Sequence, residues 1–226
     1  MKHLILLCAF LALSLQGSTQ TAHEFSYEIG PNVSTMFGNE ILDSYSNPRI
    51  GYTTGLGYQF NFNHLFGIKT GVCYEQKGNN SVFPNMSFDG IHFSDLHAVS
   101  RISYLTLPLM VRISFGKKWR YFFNAGGYGG IYLQTTSILS SDDGSINEKS
   151  TSKNDFKSGD FGISGGFGTT YYFKNLIGIS AEIRANYGLT NISQSNVYND
   201  GTIQNFNACL LFGIRYNLIK KTQQNP

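Results

Sequence analysis

Between Arg49 and Asn63 the chain reads RIGYTTGLGYQFNFN, and its large apolar side chains keep to one parity. Ile50, Tyr52, Thr54, Leu56, Tyr58, Phe60 and Phe62 fill the even positions. Gly51, Thr53, Gly55, Gly57, Gln59 and Asn61 fill the odd ones. Period two predicts a β-strand with one bulky face and one small or polar face. The pattern recurs after His64, where Phe66, Ile68, Thr70, Val72 and Tyr74 are bulky, and from Leu105 to Phe115. It returns through Phe161–Phe173, Ile177–Tyr187 and Phe206–Tyr216. A first strand over Phe25–Phe37 and a fifth over Tyr121–Leu133 fit less cleanly; NAGGYGGIY leaves the facing of the fifth open. Together these segments give eight strands.

The connections carry a second pattern. GNEILDSYSNP, Gly78–Val99, Gln134–Lys157 and Thr190–Ile203 are long, and they alternate with NH, GKKWR and KN. Short hairpins at one rim and long ones at the other describe an antiparallel up-and-down meander. An even strand count returns both ends of the meander to the short-turn rim. Outer-membrane β-barrels have this plan, with short periplasmic turns and long extracellular loops.

That plan settles what lies on each face. A sheet in a bilayer must close on itself to satisfy its backbone, and its bulky residues then face hydrocarbon. The interior of an eight-stranded barrel is just wide enough for side chains to fill. This facing puts Glu28, Glu75, Asp160 and Glu182 inside with Lys69, Arg112, Arg184 and Arg215, a set that sums to zero charge. Arg184 is expected to pair with a carboxylate such as Glu182 or Glu75. A soluble lipocalin-like barrel reverses the pattern, with an apolar interior and a charged exterior. The fold expected is therefore all-β, a closed antiparallel transmembrane barrel. Outward aromatics such as Tyr58, Phe60, Phe115, Tyr121, Tyr171 and Phe173 gather towards the short-turn rim, as an interfacial girdle would.

The amino terminus fits export. MKHLILLCAFLALSLQGSTQTA has the layout of a secretory signal peptide over residues 1–22, with removal between Ser18 and Ala22. The barrel domain then covers 23–219, and 220–226 form a short polar periplasmic tail. Charged residues make up 14% of the chain, against about 25% in ordinary soluble domains. No basic tract suits nucleic acid. Cys73 and Cys209 both face inward on non-neighbouring strands, which favours two free thiols over a bridge.

Candidate chemistry is sparse. His92-Phe93-Ser94-Asp95 is a close His/Ser pair with an acid, the components of a hydrolase triad, but it falls within a long loop. DDGSINE, Asp142–Glu148, offers oxygen ligands without EF-hand spacing and reads as a turn. Gly126-Gly127 and Gly129-Gly130 precede no helix, so they are no phosphate loop. Neither a catalytic residue, nor a cofactor, nor a metal site is expected. The long connections carry nine acids and three bases, while the short-turn rim and tail carry Lys117, Lys118, Arg120, Lys174, Lys220 and Lys221.

The chain resembles the PorT-like outer-membrane β-barrel family of Bacteroidota through YLTLPLMVRISF, FFNAGGYGGIYL, IRANYGLTNI and the final strand FNACLLFGIRYNL. The resemblance implies outer-membrane residence, and the name-giving member is associated with protein secretion. The leading expectation is a non-enzymatic barrel with a structural or binding role through its extracellular loops. The alternatives are an accessory component of a secretion or assembly system and a lipid A-modifying barrel enzyme. Expected partners are outer-membrane lipid and lipopolysaccharide, with a protein partner at the loops or periplasmic rim, and a monomeric state.

Overall fold

The computed structural model describes residues 22–84, 87–88, 91–92, 95–173, 176–194 and 201–219. Residues 1–21, Lys174, and the tail 220–226 lie outside these, and with them most of the signal-peptide expectation. In chain order the elements are β1 (Ala22–Phe37), α1 (Glu40–Tyr45), β2 (Ser46–Asn61), β3 (Phe66–Pro84), β4 (Ser87–Phe88) and β5 (Ile91–His92). There follow β6 (Asp95–Gly116), β7 (Trp119–Ser141), β8 (Asn147–Ser152), β9 (Gly159–Phe173), β10 (Ile177–Gly188) and β11 (Gln204–Ile219).

Eight of these strands form a ring in the order β6-β3-β2-β1-β11-β10-β9-β7, closed by the pairing of β6 with β7. Every neighbouring pair is antiparallel. The short-turn rim holds 62–65, 117–118 and Leu176, and Ala22 pairs there with Ile219. Asn63 fixes the first turn by accepting the amides of Leu65 and Phe66, both at 2.8 Å.

Bulky residues such as Ile50, Leu56, Leu109, Val111, Ile183 and Ile214 stand exposed on the outer wall. Their odd-numbered or even-numbered opposites are buried in the lumen, Thr53, Lys69, Arg112 and Arg184 among them. The facing left open for the fifth strand is now settled. Phe122, Asn124, Tyr128 and Tyr132 point in, while Tyr121, Phe123, Ile131 and Leu133 point out. Alternation never breaks there; Ala125, Gly126, Gly127 and Gly129 simply carry too little side chain to show it.

The long connections require correction. The β3–β6 ladder runs on to Pro84↔Asp95, and the β6–β7 ladder to Leu96↔Ser141. Much of the two stretches read as loops is therefore sheet, and β8 adds a further strand beside β7. At 22 and 23 residues, β6 and β7 far exceed the 12-residue β10. About 9–11 residues span a bilayer, so β10 does little more than cross it, while β6 and β7 cross and project. The extension needs Gly78, whose φ of 126° is left-handed and whose added Cβ would meet Ser100 O at 2.0 Å.

Inside the long-connection end, Met36, Ile102, Tyr104 and Tyr132 form a buried apolar cluster, packed against by Leu42 of α1, Phe156 and Ile203. Asn39 caps α1 by accepting the Leu42 amide at 3.0 Å. The lumen is plugged by side chains at this end.

Candidate functional site

The inward positions of the barrel strands bring carboxylates and cations to one buried layer. Lys69 of β3 places Nζ 2.6 Å from Glu28 Oε1 of β1 and 2.8 Å from Glu182 Oε2 of β10. Arg184 reaches the same two acids, with Nε 2.9 Å from Glu182 and Nη2 2.8 Å from Glu28. Arg215 of β11 spans Glu24 at 2.7 Å and Glu28 at 3.1 Å. Arg112 donates through Nε to Asn124 Oδ1 at 2.8 Å and through Nη1 to Gln59, with its guanidinium 3.8 Å above the Phe122 ring. The Tyr172 hydroxyl donates to Glu24.

A second group lies towards the plugged end. Lys77 sits 3.0 Å from Asp160 and 3.4 Å from Glu75, between the rings of Tyr104 and Tyr128. Asn186 and Thr106 each donate to Glu75 at 3.1 Å, and Asn205 donates to Asp160 at 3.0 Å. Five carboxylates thus face five cations, and this ion-paired set is neutral, while the also buried Arg49 donates to the neutral Gln76 Oε1 at 2.9 Å. Neutrality matters because an unpaired ion in such a site costs several kcal/mol.

All eight lumen residues expected from the sequence are buried, six in the first group and Glu75 and Asp160 in the second, and Arg184 takes the first of its two expected carboxylates. Arg184 meets Glu182 and Glu28; Glu75 belongs to the Lys77 group. Sequence reasoning missed Glu24 and Lys77. Glu24 preceded the expected first strand, which begins instead at Ala22. Lys77 was lost because Gly78 reads as a strand end, whereas its left-handed φ lets the strand continue. The parity of Glu75 and Lys77, two apart, was the available signal.

The cysteines Cys73 and Cys209 are buried, free thiols, Cys209 Sγ lying 3.4 Å from Thr53 Oγ1. Of the candidate triad, His92 falls in β5 and Asp95 opens β6, while Phe93 and Ser94 lie outside the described residues. Of the Asp142–Glu148 segment, residues 142–146 form the β7–β8 turn and the last two open β8. Its Asp143 Oδ1 accepts from Ser141 Oγ at 2.6 Å, Ser145 N at 3.0 Å and Ser145 Oγ at 2.7 Å. These three donors, Ser141 foremost, hold the Asp143 carboxyl down at about 2. Asp142 pairs with His97 Nε2 at 2.8 Å, across the β6–β7 ribbon.

Residues 16–194, well over half of the chain, match the model of the outer membrane protein β-barrel domain. The chain belongs to that family. Its members' address and this closed wall agree, and the protein resides in the outer membrane. Among solved structures, this outer-membrane barrel is similar to a major outer membrane protein of Thermus thermophilus, at 12% identity and a TM-score of 0.50, covering 87% of this chain and 99% of that one. Ail, the attachment invasion locus protein of Yersinia pestis, aligns at 15% identity with a TM-score of 0.41, over 87% and 99%. OprG of Pseudomonas aeruginosa aligns at 12% with a TM-score of 0.40, over 91% and 99%. No curated protein matches the chain.

Proposed function

We propose that this barrel is a non-enzymatic outer-membrane scaffold that presents its projecting β3–β6–β7–β8 sheet to a partner outside the cell. The observation that carries this is the unequal height of the wall. The strands β6 and β7 are about ten residues longer than β10, about 30 Å more strand at roughly 3.3 Å per residue. A sheet of that reach has no use in crossing the membrane. The polar strand β8, exposed along most of its length, forms its outer edge, and an exposed edge offers unpaired backbone groups to an incoming strand. The lumen network supports a bracing role, since its ions satisfy one another across the barrel.

The likeness to PorT-like barrels of Bacteroidota supports a second reading, an accessory role in secretion, on family pattern alone. A photo-crosslinking residue in place of Thr151 on β8 tests the first reading in intact cells. A discrete adduct from Thr151 that is absent from Leu56 on the lipid face is expected. Adducts only from the periplasmic turn at Lys117 would move the function to the other rim. A lipid A altered by deletion of the gene would overturn the non-enzymatic reading.

A further inference from the structure

A groove of about 480 Å³ crosses the outside of the barrel near its short-turn rim. Its direction follows from the ladder. Trp119 pairs with Tyr171, Tyr171 with Ile179, Ile179 with Ile214, and Ile214 with Tyr27. These five outward side chains form one bank, running perpendicular to the strands. The opposite bank is the adjacent row, ending in Phe212 and Ile29, and it is worn down in the middle by Thr169 and Ala181. Between the rows the floor is the Ser180–Gly213 pair, which contributes almost no outward bulk.

The groove spans four strand spacings, about 19 Å at roughly 4.8 Å each, the length of an extended fatty acyl chain. Strands in such barrels tilt by about 35–45°, so a line perpendicular to them is inclined to the membrane. Trp119 is the first residue of β7, directly after the Lys117–Lys118 turn, whereas Tyr27 lies well inside β1. The groove therefore starts at the rim and climbs into the hydrocarbon layer. At its rim end Lys118 holds Nζ 5.1 Å from the Tyr171 ring centroid. Among the described residues, no carboxylate lies within ion-pair distance of Lys118. Arg120, by contrast, is committed to the His64 carbonyl at 2.9 Å.

We propose that this groove holds one acyl chain of an anionic glycerophospholipid from the periplasmic leaflet, with the lipid phosphate at Lys118. Shape supplies the chain and charge supplies the headgroup. The short-turn rim excludes lipopolysaccharide as occupant, because that lipid occupies the opposite leaflet. A tryptophan girdle position and an interfacial lysine are the residue types that meet headgroups at such a boundary.

Trp119 is the sole tryptophan of the chain, so its fluorescence reports the site directly. The barrel is refolded into vesicles of unbrominated zwitterionic lipid containing a small fraction of either brominated phosphatidylglycerol or brominated phosphatidylethanolamine. Quenching by the anionic lipid is expected to exceed that by the zwitterionic one several-fold. Lys118→Gln should abolish the difference, and Ala181→Phe, which fills the groove, should reduce quenching by both. The closed, folded state of each variant is checked by its gel mobility before and after boiling. Equal quenching by both lipids in the unaltered protein, which is general boundary lipid only, overturns the proposal. So does a preference that survives Lys118→Gln, which leaves the folded wall untouched should Ala181→Phe fail to insert.

Discussion

Arg184 and Ile183 are neighbours in the chain and occupy opposite solvents, the first 1% and the second 47% exposed. Arg suits the inner position because its planar fork supplies several donors and keeps its charge when buried. Replacing it with Leu strands Glu28 and Glu182 with one cation fewer each. Arg184→Leu should cost about 3–5 kcal/mol, read from denaturant unfolding in lipid. Ile183→Arg should cost about 2–4 kcal/mol near the midplane. Tolerance of both would mean that the faces are reversed. At the β7–β8 turn, Asp143 has its folded pKa lowered from 3.8 to about 2. A lowered acid stabilises the turn fully above its unfolded value and loses that contribution as pH falls through the folded one. The Asp143 carboxyl resonance should therefore titrate with a midpoint near 2, and a midpoint at the unperturbed value would show that the three serine-derived donors are not engaged.

Among the elements, the strands that cross hydrocarbon were legible and the strands above it were not. Lipid demands bulk on one face of Leu105–Phe115, so the period stands out in the sequence. Above the membrane most residues of the β6–β7 ribbon are partly buried on both faces, and polar residues such as Thr136 and Ser137 sit on either face without contrast. The expected loops hence concealed sheet. Gly78 shows the same limit from another side. Read as punctuation, it is the residue that allows β3 to extend, and Gly78→Ala should cost about 1–3 kcal/mol for its strained φ alone. The added methyl against Ser100 O raises that further, and faster amide exchange at Asn79–Ser81 is the expected signature. The lumen set was readable from parity once the faces were assigned, whereas its partners were not, because ion pairing across the barrel depends on curvature and shear that no single strand encodes. Glu28, on the first strand, meets cations from the third, seventh and eighth strands of the ring's chain order.

For the molecule as a whole, the network and the apolar plug stand in series along the axis. Ion passage would require parting Lys69, Arg184 and Arg215 from their acids and then displacing Tyr104 and Tyr132. Eight-stranded barrels hold only side chains, whereas aqueous channels need about 16 strands. Planar bilayers containing the purified protein should show no stable nanosiemens steps; their reproducible appearance would show that the interior is not filled as described. Arg215 joins the two ends of the barrel. It lies on the last strand and grips Glu24 and Glu28 of the first. Until the two ends of the chain meet, the nascent sheet carries two carboxylates at one margin and a guanidinium at the other. A seam that closes last would complete backbone pairing and the neutralisation of Glu24 in one event, and an incomplete barrel would then expose charge that a finished one conceals.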